Sequence, residues 1–190
     1  LTTGGNIIIP DAGNIGSASD TDAMAIASNG VVTFSQTPVG AGVALTTATT
    51  VASTSGTEII FTGIPSTTSR IMLMFRGVTM SANQNIRITL GTSSGLVTSG
   101  YIGTSGYGAG ADDRTDSWVW YPANGTLSGV MTICHMGGNI YVQGHSSKYN
   151  TNNTSFGGGD VAVGGVVDRL GIDPAGDATL SAGAINIMFD

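Results

Sequence analysis

The sequence predicts an all-β protein: a short β shaft segment followed by an antiparallel β-sandwich head of the jelly-roll kind. Three observations carry that prediction. Gly, Ser, Thr, Val and Ile dominate the chain, while Lys and Glu, the usual surface of helices, occur once each as Lys148 and Glu58. Turn signals recur about every 8–12 residues, the spacing of a sandwich. No stretch keeps a 3.6-residue apolar period.

With 190 residues, 41% of them hydrophobic, the chain has enough apolar surface to build a core, which argues against a disordered polymer. Charge narrows the classes further. Six basic against twelve acidic residues leave a net charge of −6, the opposite of a surface built to grip phosphate backbones. The longest apolar run, 71–75, is far short of the ~20 residues of a bilayer-spanning helix, so no membrane insertion is expected. A single cysteine cannot close a disulfide within the chain. Only 9% of residues are charged, which gives a monomer little protection at its sheet edges. The chain is therefore expected to bury surface against copies of itself. It opens on Leu1 without a signal-peptide pattern, as expected of a piece of a longer polypeptide.

Residues 1–39 make the first part. Ile7-Ile8-Ile9 is a short strand ended by Pro10, and 11–14 and 17–22 read as turns. Asn29-Gly30 between the β-prone runs 23–28 and 31–35 predicts a hairpin closed by a two-residue type I′ turn. Strands this short cannot bury a core alone. Repetition along a shaft, or three chains wrapped together, would supply one. Ile7, Ile9, Met24, Ile26 and Phe34 are the candidates for a shared trimer core. Residues 40–56 are a linker or an edge strand. The head occupies 57–190, with strands expected at 58–62, 70–80, 86–90, 96–102, 116–121, 126–136, 140–145, 160–163, 166–172 and 184–189. Within 70–80, Ile71, Leu73 and Phe75 share one face and Met72, Met74 and Arg76 the other. Residues 103–110 read as a Gly-rich loop. Gly137-Gly138-Asn139 turns 126–136 back into 140–145.

The chain as a whole resembles a known kind of protein. Ile7-Ile8-Ile9-Pro10-Asp11, Gly16-Ser17-Ala18-Ser19-Asp20, Ala23-Met24-Ala25-Ile26 and Gly30-Val31-Val32-Thr33-Phe34-Ser35 follow one another in order. They resemble a module near the ends of tail fibres and other structural proteins of marine bacteriophages. Phe61-Thr62-Gly63-Ile64-Pro65-Ser66, Arg70-Ile71 on to Phe75, Gly77-Val78, Ile88-Thr89-Leu90-Gly91 and the ending Ala182-Gly183-Ala184-Ile185-Asn186-Ile187-Met188-Phe189-Asp190 are similar to the β-rich head that follows that module. The resemblance implies a homotrimer on the virion with a role in host attachment. Its partners would be other virion proteins and a glycan or protein of the host surface. It supplies no catalytic residue. A capsid decoration or head-fibre protein is the alternative, and a polysaccharide-cleaving tail tip a third reading.

One constellation stands out for recognition. Trp118 and Trp120 sit two apart and so face the same way on a strand. Tyr101 and Tyr107 precede them, with Asp112, Asp113 and Asp116 between. Aromatic faces stack on sugar rings, and carboxylates accept hydrogen bonds from sugar hydroxyls. These seven residues are the expected receptor-binding set, weighed against the plainer expectation that the tryptophans fill the core. The other polar groups ask for neither cofactor nor metal. His135 and His145 lack ligand spacing, and the three aspartates lack the spacing of a calcium loop. Cys134 and His135 are adjacent on a strand and point to opposite faces.

Overall fold

Every regular element among the described residues is a strand, paired antiparallel. The computed structural model describes residues 9–36, 44–107, 110–121, 125–150 and 152–190. Two compact units divide the chain, 1–43 and 44–190.

The first unit is a meander of β1 (Asn14–Ser17), β2 (Asp20–Ile26) and β3 (Val32–Phe34). Ile26 pairs with Val32 and Met24 with Phe34, so the hairpin around Asn29-Gly30 is present. Its turn differs from the type I′ expectation. Gly30 alone takes a positive φ, +82°, and its N–H bonds Ala27 O at 2.9 Å while Ala27 N–H bonds Val31 O. That is the longer hairpin loop in which a tight turn is followed by a left-handed glycine. Ile9, Met24 and Ile26 are half-buried and Phe34 is 46% exposed within the single chain. Ile7 lies outside the described residues.

The second unit begins with the two-residue strands β4 (Thr46–Thr47) and β5 (Val51–Ala52). There follow β6 (Ile59–Thr62), β7 (Arg70–Met80), β8 (Ile86–Thr92), β9 (Gly95–Leu96), β10 (Tyr101–Tyr107), β11 (Gly110–Asp113) and β12 (Trp118–Trp120). β13 (Leu127–Gly137), β14 (Ile140–Tyr149), β15 (Asn153–Ala162), β16 (Arg169–Pro174) and β17 (Leu180–Phe189) complete it. One sheet runs β11-β10-β15-β14-β13-β7-β17, with β4 and β5 both on β17. The smaller sheet runs β12-β8-β16-β6, with β9 on β8. Residues of both inner faces join in a single apolar core.

The alternation along β7 places that core. Ile71, Leu73 and Phe75 are buried, while Met72 and Met74 on the outer face are half-buried. Beyond Phe75 the inward position moves to Val78. The cause is Gly77, whose φ of +63° inserts an extra residue, so that the register steps from Phe75–Gly129 to Val78–Leu127. β13 and β14 pair over their whole length around the Gly137-Gly138-Asn139 turn.

Two expectations need correction. The strand expected at 96–102 is split between β9 and β10, and the Gly-rich loop at 103–110 is largely the hairpin of β10 and β11. Backbone pairing of β10 with β15 on one side and β11 on the other outweighs the weak β preference of its glycines. No helix among the described residues is long and apolar enough to cross a membrane.

Candidate functional site

β10 decides where the expected site residues go. Its side chains alternate, with Tyr101, Gly103 and Ser105 inward and Ile102, Thr104 and Gly106 outward. Tyr101 is 1% exposed, and its hydroxyl accepts the Leu90 N–H at 2.7 Å. Burial pushes its phenol far above the ordinary value. Trp118 meets the Tyr101 ring edge to face at 5.3 Å and donates its indole N–H to Asp160 O at 3.2 Å. Trp120 is fully buried, edge to face with Phe75 at 4.6 Å, and donates to Ser147 Oγ at 2.8 Å.

These three rings are therefore core groups, and the expectation that they stack on a ligand is corrected. The pair does share a face, but it is the inner one. Gly157 on the larger sheet makes room for His145, which lies 5.0 Å from Trp120: a Cβ there would sit 2.5 Å from the imidazole. Tyr107 is half-buried in a cluster with Tyr121 at 5.9 Å and Tyr149 at 5.6 Å.

The three aspartates part company. Asp112 pairs in register with inward Ser105, accepts from Asn85 Nδ2 at 2.6 Å and lies 3.5 Å from Arg114 Nε. Asp116 lies 3.8 Å from Arg87 and 3.9 Å from Arg114. Arg87 also donates to Asp173, through Nε at 3.0 Å and through Nη2. Burial holds the Asp173 carboxyl above its usual range despite that bond. Glu58, Arg87, Asp116 and Asp173 line a polar pocket of about 190 Å³. Asp113 instead pairs with outward Thr104 and is exposed, with no side-chain partner among the described residues.

Asp113 thus belongs to the outer face of the larger sheet, where two residues absent from the expected set stand out. Ile102 is 68% exposed and Phe156 is 62% exposed. They flank two shallow clefts over β10 and β15. One, of about 590 Å³, is lined by Ile102, Thr104, Asp113, Arg114, Gly158 and others. The second, of about 460 Å³, is lined by Thr104, Gly106, Tyr107 and Phe156 among others. Asp160 lies beside Ile102 in register, and its carboxylate has no partner among the described residues. The sequence marks this face only by Phe156 standing directly before Gly157-Gly158-Gly159, a pattern that gives no strand on which to place the ring.

A second polar constellation lies between the sheets. Ser105 Oγ is 2.8 Å from His145 Nε2, and His145 Nδ1 is 2.9 Å from Gln143 Oε1. Gln143 Oε1 can only accept, so Nδ1 carries the proton and the Ser105 hydroxyl donates to Nε2. Ser105 Oγ in turn accepts the Tyr121 N–H at 3.0 Å. The order Ser–His–Gln is that of a nucleophile, base and orienting group, but Ser105 has no exposed surface for a substrate to reach. Its geometry satisfies buried polar groups. Elsewhere His135 stacks on Tyr141 at 4.7 Å, and no trio of His, Cys, Asp or Glu among the described residues is placed to hold a metal.

No protein-family model, no curated protein and no solved structure matches the chain.

Proposed function

We propose that this chain is the distal part of a homotrimeric tail fibre on a bacteriophage virion, and that its head recognises the host cell surface. The observation that carries the reading is the pair of exposed apolar side chains, Ile102 and Phe156, over the glycine-rich strands β10 and β15. Large apolar side chains presented on a rigid sheet give a partner contact area at low entropy cost. The resemblance of the chain to tail-fibre ends supports the placement on the virion. The N-terminal unit supports the trimer, because Ile15, Val31, Val32 and Phe34 are all exposed in the single chain and need a neighbour. In that trimer Ile9, Met24, Ile26 and Phe34 would share a core.

Phe156→Ala and Ile102→Ala, made separately, test the reading. Both side chains are mostly in solvent, so stability should change by no more than about 0.5 kcal/mol. Attachment of the purified protein to host cells should fall at least tenfold in each. Unchanged attachment in both variants would remove this face from recognition and favour the decoration-protein alternative.

A further inference from the structure

We infer that the face over β10, β11 and β15 binds a neutral oligosaccharide, laid along the strands between Ile102 and Phe156. The inference rests on the reading of this face as the recognition surface and names its ligand class. The two apolar groups do not form one patch. Ile102 pairs with Asp160, and Phe156 pairs with Gly106, so four residues, or about 13 Å of strand, separate their positions. Between them lie Thr104 and Gly158, a hydroxyl and a bare backbone.

A protein partner reads best on a contiguous apolar centre with a polar rim. Here the order is apolar, polar, apolar. An oligosaccharide presents that same alternation, with apolar ring faces separated by hydroxyls. The exposed ring of Phe156 offers a stacking face. The glycine-rich floor lets a flat ring approach the backbone closely. The distance between the two apolar groups asks for more than one ring.

Charge decides the kind of saccharide. Asp113 and Asp160 stand on this face without partners among the described residues, ready to accept hydrogen bonds from sugar hydroxyls. Arg114 lines the same cleft, but Asp112 and Asp116 already lie within 4 Å of it. Two free carboxylates repel uronic acids, sialic acids and phosphorylated sugars.

The test uses the full chain on an array of unbranched neutral and acidic oligosaccharides. Wild-type protein should bind neutral chains of two or more rings and ignore acidic ones. Phe156→Ala should weaken that binding at least tenfold. A double variant, Asp113→Asn with Asp160→Asn, should also weaken neutral binding tenfold and relax the exclusion of acidic chains. Phe156 and Asp113 are exposed and Asp160 is half-buried, and an unchanged melting temperature will show that each variant is folded. Selective binding of acidic chains by the wild type, or neutral binding that survives Phe156→Ala, would overturn the inference. So would a wild type that binds no saccharide while host attachment still depends on Phe156. In that last case the face would recognise a protein and the proposed function would stand.

Discussion

Trp120→Ala should destabilise the head by about 3–5 kcal/mol, the usual cost of removing a large aromatic from a closed core. The residue has no exposed surface, and it leans edge to face on Phe75 at 4.6 Å. Its indole N–H donates to Ser147 Oγ, a buried hydroxyl that would lose this partner. β12, which carries the residue, is only three residues long, and all three are buried against the rest of the head. Denaturant unfolding of wild type and variant measures the difference directly. The outcome also separates two views of the tryptophan pair. A recognition residue would lose cell binding at unchanged stability; a core residue loses stability first. A cost below about 1 kcal/mol would show that the ring is not enclosed.

That contrast marks where the sequence stopped being informative. Period-two alternation puts Trp118 and Trp120 on one face, and β12 bears this out, but alternation is silent on whether that face looks inward. The answer depends on strands remote in sequence. Gly157 on the larger sheet leaves the space that His145 fills beside Trp120. Local patterns were legible where apolar residues alternate cleanly, as in β7, or where a turn signal is strong, as between β13 and β14. They failed where glycine is frequent. Residues 103–107 of β10 read as a loop and 153–159 of β15 as no strand, because glycine has little preference for strands, yet each strand pairs on both sides. Phe156 was hidden for the same reason, since the residues around it gave no strand on which to place it. Of the aspartates, only register separates Asp113 from its immediate neighbour Asp112. One residue of slippage exchanges a free outward carboxylate for one held against Arg114.

The head should lose about 3 kcal/mol of stability between pH 6.5 and pH 4 through His145 alone. Burial lowers the pKa of this imidazole from 6.5 to about 4, and a tenfold difference in proton affinity between folded and unfolded chains is worth about 1.4 kcal/mol. The ring is 6% exposed and is surrounded by Trp120 at 5.0 Å, Ser105 and Gln143, none of which carries a charge to balance a proton. Its Nε2 already accepts the Ser105 hydroxyl, so protonation would also reverse that bond and leave the hydroxyl proton without this acceptor. The direction follows from proton counts. Above about pH 6.5 the histidine is neutral in both folded and unfolded chains, and stability is full. Between 6.5 and 4 the unfolded chain takes up a proton that the folded chain refuses, so stability drops as the pH is lowered. Below about 4 both states are protonated and the loss levels off. Asp173 works the other way, since its raised pKa favours the folded state as acid is added, and it tempers the low end of the curve. Urea midpoints taken at intervals from about pH 7.5 to about pH 4 measure the slope. His145→Gln keeps a polar group beside Ser105 but cannot titrate, so its midpoints should be flatter across that window. A wild-type slope that persists unchanged in His145→Gln would place the acid sensitivity elsewhere in the head.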